Sequence, residues 1–179
     1  MIEALDYGIL EIFQQIQNMF LTHIFKFFTT IGEAGVIWII AGIFLLIKKE
    51  SRKYGVIVLL SLLMCLLFGN GLLKNLIARP RPCWRHPEVK MLIGIPKDYS
   101  FPSGHTFSSF AGSYSIFYWK KKYGYVAFAM AVMIAASRLY FFVHYPTDIF
   151  AGAIFGIFLS MISIWIVEKR MLRNRRQLK

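Results

Sequence analysis

Long apolar stretches separated by short polar segments dominate the chain. Five of them carry few charged side chains and approach the length that crosses a bilayer: residues 34–47, 55–78, 103–119, 124–143 and 147–167. Because the bilayer interior offers no water to backbone groups, such stretches are expected to be helical. The pattern predicts an all-α, integral-membrane helical bundle of five spans, the first of which is short unless its helix begins upstream.

Residues 1–31 have a different pattern. Within residues 2–16, apolar side chains recur at helical spacing with Glu and Gln opposite, which predicts an amphipathic helix along the membrane surface. Residues 19–31 are rich in aromatic residues but include a histidine and a lysine, so they make a poor span. We interpret residues 1–31 as an amphipathic, interfacial segment. In the alternative, residues 5–30 also cross, which gives six spans.

Composition supports a membrane protein and argues against a nucleic-acid partner. The 179 residues are 57% apolar with a mean hydropathy of +0.54, and we expect one membrane domain over residues 1–179. The net charge of +12 raises the possibility of nucleic-acid binding. However, the basic residues lie in short clusters between apolar runs, as in membrane proteins, and no nucleic-acid motif is present.

The basic clusters also predict the orientation. Those at residues 48–53 and 120–122 and in the tail 169–179 are separated from one another by two spans each, so all three fit the cytoplasmic side. The loop 79–101 and the turn 144–147 then lie on the external face. The predicted location is the cell membrane, with a cytoplasmic C-terminus.

Three polar clusters interrupt the apolar sequence between residues 74 and 148. In chain order they are Lys74 with Arg81 and Pro82, then Pro102 to His105, then Ser137 and Arg138 with His144 and Asp148. Ionisable side chains at membrane depth cost roughly 2.5–3.5 kcal/mol each on insertion scales, so by default they suggest a functional site. The predicted orientation places all three clusters at the external ends of spans, and we expect them to form one site.

The basic residues and the Ser-Gly turn suit a phosphate ligand. Arg81 and Arg138 offer planar forks of donors, and Lys74 adds a point charge. Ser103 and Gly104 lead into a helix start, where free backbone N–H groups and the helix dipole attract an anion. These five residues are the candidate phosphate-binding set.

His144 and Asp148 lie four residues apart around Pro146, a residue that favours a helix start. A carboxylate that accepts a hydrogen bond from one imidazole nitrogen frees the other nitrogen as a nucleophile. His105 would protonate the departing oxygen and then activate water. We expect neither a metal nor another cofactor, because Asp98 is the only acid besides Asp148 expected nearby.

The three clusters resemble the signature of the type 2 phosphatidic acid phosphatase (PAP2) superfamily, which reads K-x6-RP, PSGH and SR-x5-H-x3-D. The chain matches every signature position between residues 74 and 148. The resemblance implies a helical membrane enzyme that removes phosphate from lipid phosphates without a metal, with His144 as nucleophile, Asp148 as its partner and His105 as acid. It implies phosphate binding by Lys74, Arg81, Ser103, Gly104 and Arg138.

The substrate and the functional class have alternatives. The chain resembles bacterial enzymes that recycle undecaprenyl pyrophosphate, which we favour because Arg79 and Arg85 offer contacts for a second phosphate. Otherwise we interpret Arg79 as a side chain that reaches lipid headgroups. Phosphatidylglycerol phosphate and phosphatidic acid are the alternative substrates. The other classes are a lipid-phosphate binding or transport protein without catalysis and a vanadium haloperoxidase, which the predicted spans disfavour.

Overall fold

The computed structural model describes residues 2–177, with side chains described from residue 3 to residue 173. Within that range the regular structure is helical and contains no strand, which confirms the all-α prediction. The helices are α1 (Ile2–Gln15), α2 (Met19–Ile31), α3 (Val36–Ile47), α4 (Arg52–Met64), α5 (Lys74–Ile77), α6 (Pro82–Arg85), α7 (Gly104–Trp119), α8 (Lys121–Tyr140) and α9 (Pro146–Gln177). A 3-10 turn (Glu33–Gly35) joins α2 to α3, and a π-helical segment (Cys65–Leu73) joins α4 to α5. The end of the predicted basic tail, residues 178–179, lies outside the described residues.

Several helices are suited to crossing a membrane. Three helical stretches are long and apolar enough: Arg52–Arg85, Lys121–Tyr140 and Pro146–Arg173. The α2–α3 pair meets the same criteria as one span, although it is bent by 45°. With 16 residues, α7 is about 24 Å long and falls short of that length. The described helices therefore provide three or four candidate spans, where five are predicted.

The bend between α2 and α3 arises from two consecutive left-handed residues. Ala34 has φ 50° and Gly35 has φ 69°, a conformation that ends a helix. A Cβ built on Gly35 would lie 3.3 Å from the Cβ of Ser108, so glycine lets the turn approach α7. A Cβ built on Gly32 would lie 3.3 Å from Cδ2 of His105. The bend thus packs against the first turns of α7.

Helix α7 is central and packs against α4, α8 and α9. Its hydroxyl groups bond to neighbouring helices: Ser109 accepts from Nε1 of Trp38 at 3.0 Å. The Ser115 hydroxyl lies 3.1 Å from that of Ser61 and 2.7 Å from that of Ser160. Buried hydroxyls need such partners, and each of these has one. The hydroxyls of Ser109 and Ser115 therefore connect α7 to α3, α4 and α9.

The bundle has two distinct polar ends. At one end, Lys53 donates to Glu168 at 2.7 Å, and Tyr118 donates to the same carboxylate at 2.9 Å. These bonds connect the start of α4 and the end of α7 to α9, in the half of α9 that is predicted to be cytoplasmic. The basic clusters at residues 48–53 and 120–122 flank this end. The three polar clusters of the predicted site lie at the other end, where α5 and α8 finish and α7 and α9 begin.

Helix α1 has an apolar outer side and a polar contact inside. Leu5 is 62% exposed, as expected for an interfacial helix, whereas Asp6 and Leu10 are 1% and 0% exposed. The side chain of Gln14 donates to the carbonyl oxygen of Tyr140 at 3.2 Å. Because α1 packs against α8 and α9, it brings a buried carboxylate to their junction.

Candidate active site

A cavity of about 830 Å³ lies at the end of the bundle where the three polar clusters meet. Six of the eight predicted site residues line it: Lys74, Arg81, Gly104, His105, Arg138 and His144. The other two, Ser103 and Asp148, are fully buried and are not part of its lining. Apolar side chains such as Ile39, Leu62 and Leu66 extend the lining between α3 and α4. The cavity therefore combines a polar region with an apolar one.

Lys74 and Arg81 share one carboxylate as their partner. The left-handed residue Ala78 (φ 48°) ends α5 and turns the chain between them. Both side chains are buried, and Lys74 Nζ donates to Oδ2 of Asp98 while Arg81 Nη2 donates to Oδ1 at 2.8 Å. Arg81 Nε also donates to the carbonyl oxygen of Asp98 at 2.7 Å. Asp98 thus bridges two of the predicted phosphate-binding cations.

Arg138 is the third buried cation and lies in the last turn of α8. Its Nη1 donates to the hydroxyl of Thr29 on α2. Its Nε is buried and has no hydrogen-bond partner among the described residues. A buried donor without a partner costs about 1–3 kcal/mol. An anion in the cavity that Arg138 lines would supply that partner.

The charges of this site suit an anionic ligand. Three buried cationic side chains converge on it, and arginine forks match the oxygen atoms of phosphate. In the part of the chain that the structure describes, no group of three or more His, Cys, Asp and Glu side chains is placed to hold a metal ion. The donor set fits a phosphate group.

His144 and Asp148 are coupled through a third residue. Helix α9 begins at Pro146, as predicted, with Asp148 in its first turn. His144 Nδ1 lies 3.6 Å from Asp148 Oδ2, which is too long for a direct hydrogen bond. The hydroxyl of Ser100 lies 3.4 Å from that nitrogen and donates to that oxygen at 2.5 Å. Ser100 therefore bridges the histidine and the carboxylate.

The hydrogen bonds of His144 assign its tautomer. Nη1 of Arg81 lies 3.0 Å from His144 Nε2 and also donates to the carbonyl oxygen of Val143 at 2.7 Å. A guanidinium group can only donate, so Nε2 must accept and the ring proton resides on Nδ1. The lone pair of Nε2 is therefore on the Arg81 side of the ring, and Nδ1 is on the Ser100 side.

Arg79 connects Asp148 to the N-terminal helix. Its Nη1 donates to Asp148 Oδ1 at 2.6 Å, its Nη2 donates to Asp6 Oδ2 at 2.7 Å, and its guanidinium lies 3.9 Å from the centre of the Tyr145 ring. The backbone N–H and the hydroxyl of Thr147 donate to Asp6 at 3.0 Å and 2.7 Å. The interpretation of Arg79 as a headgroup-reaching side chain is wrong, because the guanidinium is held between two buried carboxylates.

The start of α7 contributes backbone groups to the cavity. Ser103 is the N-cap residue, but its side chain makes no capping bond. Its hydroxyl accepts from Oγ1 of Thr106 at 3.1 Å, and its N–H donates to the carbonyl oxygen of Asp148 at 3.3 Å. A Cβ built on Gly104 would lie 3.0 Å from Oδ1 of Asn70, so glycine permits this close approach. The uncapped first turn of α7 therefore lies at the cavity wall.

Two groups of the site outside the spans have shifted pKa values. Burial, followed by the charges of Arg81 and Arg138, holds the pKa of His144 well below its usual 6.5. Burial opposes ionisation of Asp98, but its bond to Lys74 and the charge of Arg81 lower the pKa of this carboxyl to about 2. At neutral pH the folded protein therefore has a neutral His144 and an ionised Asp98.

Neither Ser100 nor Asp6 is predicted from the sequence. Asp6 does leave a signal, because it lies at helical spacing between Ile2, Ile9 and Leu10, on the side of α1 that is otherwise apolar. A charged residue in that position indicates a buried partner. Ser100 lies in an irregular loop, where a single serine carries no comparable signal.

Comparison with known proteins identifies related sequences. The model of the PAP2 superfamily matches residues 53–172. A relative from Sulfolobus acidocaldarius, named undecaprenyl-diphosphatase, is 31% identical over 131 residues, which cover 73% of this chain and 63% of the relative. The chain spans between 41% and 63% of the length of the first four named relatives.

Solved structures share the fold. The crystal structure of LpxE from Aquifex aeolicus matches with a TM-score of 0.73 and 26% identity, covering 89% of this chain and 94% of that one. A PAP2-type phosphatidylglycerolphosphate phosphatase from Bacillus subtilis matches with a TM-score of 0.74 and 24% identity, covering 93% of this chain and 86% of that one. The second likeness concerns the fold alone.

Proposed function

The chain belongs to the PAP2 superfamily, and we propose that it is a membrane lipid phosphatase that hydrolyses a lipid phosphate or pyrophosphate without a metal. The observation that carries the proposal is that one cavity is lined by the buried cations Lys74, Arg81 and Arg138 together with His144. The cations suit phosphate binding. The buried assembly of His144 and Asp148 suits a reaction at phosphorus and has no role in simple binding.

Substrate binding prepares the nucleophile. The phosphate oxygens accept from Lys74, Arg81 and Arg138, and the backbone N–H of Gly104 adds to these bonds. The hydroxyl of Ser103, predicted as a further donor, is buried outside the cavity lining and accepts from Thr106. When Arg81 turns to the phosphate, it gives up its bond to His144 Nε2. The lone pair of this nitrogen is then free to attack.

The reaction has two displacements. His144 Nε2 forms a bond to phosphorus, the bond from phosphorus to the leaving oxygen breaks, and His105 gives a proton to that oxygen. Asp148, acting through Ser100, stabilises the positive charge that develops on the imidazole. Water then attacks the phosphorus, its proton passes to His105, and the phosphorus–nitrogen bond breaks to release inorganic phosphate.

Arg138 tests the phosphate-binding part of this proposal. We expect Arg138→Gln to lower kcat/KM by about 10²–10³, because removal of one preorganised donor typically has that effect. Arg138→Lys should retain part of the activity, since it keeps the charge but loses the fork. Hydrolysis rates in detergent micelles measure both, with Arg173→Gln, a substitution near the end of α9, as control. Equal rates for Arg138→Gln and the control would contradict the assignment.

The low pKa of His144 sets the acid limb of the pH profile. The proposed nucleophile must be neutral in the free enzyme, so we expect the His144-dependent fall in kcat/KM to lie well below pH 6.5. In the unfolded chain this histidine takes up a proton near pH 6.5. The contribution of neutral His144 to stability is therefore present above pH 6.5 and is lost as the pH falls from there toward the folded-state pKa. A profile of kcat/KM and unfolding midpoints between pH 4 and 8 check both expectations. A fall in kcat/KM centred at pH 6.5 would contradict the burial effect.

We also propose a topology of five spans in one domain over residues 1–179. The spans would be the bent α2–α3 pair, Arg52–Arg85, α7, α8 and α9, with α1 at the interface. Residues 19–31, predicted as part of the interfacial segment 1–31, would then belong to the first span. Two contacts support this: Asp6 bonds at the site end of the bundle, and Glu168 bonds at the opposite end. An odd number of spans separates these ends, and the basic clusters favour the Glu168 end as cytoplasmic. Lys90→Cys and Lys122→Cys test this topology when each is introduced alone into a chain without the native cysteines. The cysteine at position 90 should react with a membrane-impermeant thiol reagent added outside the membrane, and the cysteine at position 122 with the reagent added inside.

Undecaprenyl pyrophosphate is the proposed substrate. The name of the Sulfolobus relative supports a polyprenyl diphosphate. Arg79 gives no such support, because Asp6 and Asp148 occupy it, and Arg85 pairs with Glu3. The exposed Lys26, which lines the cavity, is a cation for a second phosphate. Phosphatidylglycerol phosphate and phosphatidic acid are the alternatives.

A substrate panel in detergent micelles containing EDTA tests the proposed function. We expect release of inorganic phosphate in EDTA, with the highest kcat/KM for undecaprenyl pyrophosphate. A preference for a glycerolipid monophosphate would overturn the substrate choice, and strict metal dependence would overturn the mechanism. Vanadate should inhibit without supporting halide oxidation. Transport of lipid in proteoliposomes without phosphate release would favour the binding or transport class.

A further inference from the structure

The carboxylate of Asp98 accepts hydrogen bonds from two of the proposed phosphate-binding cations. Its Oδ1 accepts from Arg81 and its Oδ2 accepts from Lys74, so each oxygen of this carboxylate is paired with a different cation. A bound phosphate needs the same two donors. We propose that Asp98 is an internal competitor for the phosphate site, which the substrate displaces and which returns to help expel the product. This inference rests on the proposed function.

The Asp98 side chain is free to leave while its backbone stays in place. The side chain is 55% exposed, although Lys74 and Arg81 are buried at 8% and 3% on the same measure. The Asp98 carbonyl oxygen accepts from Arg81 Nε at 2.7 Å. On either side, the Pro96 carbonyl oxygen accepts from Trp84 Nε1 at 3.0 Å, and the Ser100 N–H donates to the carbonyl oxygen of Arg79 at 2.8 Å. Rotation of one side chain into solvent opens the site without movement of the loop.

A phosphate group carries more negative charge and more acceptor oxygens than this carboxylate. Asp98 carries one negative charge and two oxygens, and it leaves Arg138 Nε without a described partner. A phosphoryl group with two charges and three free oxygens reaches all three cations. The substrate therefore displaces Asp98. Its apparent affinity is nevertheless lowered, because it binds only to molecules in which Asp98 has left Lys74 and Arg81. Inorganic phosphate, which lacks the lipid tail and its contacts, is displaced more readily than the substrate.

The competitor also balances charge in the resting protein. Without Asp98, Lys74 and Arg81 would be buried beside Arg138 with no carboxylate between them. Uncompensated buried charge is costly. If residue 98 is neutral, Lys74 and Arg81 lose the carboxylate that bonds to both of them. Phosphate would then replace that negative charge, so it should stabilise the fold of such a variant more than it stabilises the wild type.

The test compares Asp98→Asn with Glu88→Gln, which removes the same charge from an exposed residue of the same loop. Both variants are purified in phosphate and exchanged into detergent buffer. The inhibition constant of inorganic phosphate is measured during lipid-phosphate hydrolysis, and the shift of the unfolding midpoint by phosphate is measured without substrate. For Asp98→Asn we expect the inhibition constant to fall by about tenfold or more, with a larger phosphate-induced shift. For Glu88→Gln we expect wild-type values.

Three results would overturn the proposal. If Asp98→Asn binds phosphate more weakly, the carboxylate positions the cations and does not compete for them. If Asp98→Asn and Glu88→Gln change phosphate binding equally, Asp98 acts only through the net charge of the loop. Failure of Asp98→Asn to fold even in phosphate makes Asp98 a structural partner. Absence of hydrolysis by the wild type would instead refute the proposed function, and the unfolding measurement would still decide whether Asp98 competes with phosphate.

Discussion

Replacing His144 by alanine is expected to lower kcat by at least about 10⁴-fold, because the group that attacks phosphorus is lost and water has no equivalent position. The phosphate-binding residues are left in place, so the inhibition constant of inorganic phosphate should change little. Single-turnover assays with radiolabelled substrate give the range needed to measure such a loss. His144→Asn should be equally inactive while it fills more of the buried space.

The matched control is His86→Ala, since His86 is a partly exposed loop histidine that pairs with Glu88 and does not line the cavity. Its kcat should equal that of the wild type. Retention of more than about one per cent of activity in both His144 variants would remove this residue from the reaction, because loss of a nucleophile costs far more than that.

Replacing Arg79 by methionine is expected to lower the free energy of unfolding by about 3–5 kcal/mol, because removal of one partner leaves buried charge uncompensated. Arg79 lies between Asp6 and Asp148, which are 1% and 0% exposed. Activity should also fall, since Asp148 loses the bond that fixes Oδ1. Unfolding in detergent, followed by fluorescence or circular dichroism, measures the change in stability.

Two further variants separate this network from a general loss of charge. Asp6→Asn combined with Arg79→Met should recover part of the stability, because it removes one of the two unpaired carboxylates. Arg85→Met removes an arginine whose pair with Glu3 is exposed, and it should change stability by about 0.5 kcal/mol or less. If Arg79→Met and Arg85→Met have the same effect, the buried network contributes nothing specific.

Local spacing makes part of the site predictable from the sequence. His144 and Asp148 flank a proline that starts α9, so four residues of sequence define their relation. The same holds for Gly104 and His105 at the start of α7. The basic clusters and the length of the apolar stretches suggest that these helix ends share one face, because orientation rules act on the whole chain.

The remaining contacts depend on packing between distant segments. Asp6 bonds to Thr147, which is 141 residues away, and no local pattern specifies that pairing. The bend at Ala34 requires a left-handed alanine, for which the sequence gives only the neighbouring glycine as a hint. The predicted direct bond between His144 and Asp148 is replaced by a bridge through Ser100, because the two groups are 3.6 Å apart. Such distances follow from how the loop packs onto the helices.

The role of Arg79 shows why exposure cannot be predicted from residue type alone. Near the end of a span, an arginine commonly extends to the lipid headgroups. Here α1 supplies Asp6, and the two carboxylates hold the guanidinium in the protein. The difference arises because the N-terminal helix docks on the α8–α9 junction, a contact between the two ends of the chain.

Capture of the covalent intermediate tests the central claim most directly. The protein is mixed with undecaprenyl pyrophosphate that carries radiolabel in its terminal phosphate, quenched in alkali within milliseconds, and digested for mass spectrometry. We predict an alkali-stable, acid-labile label on the peptide that contains His144, formed at least as fast as inorganic phosphate and absent from His144→Asn. Release of labelled phosphate during turnover with no label on His144 at any quench time would contradict the account.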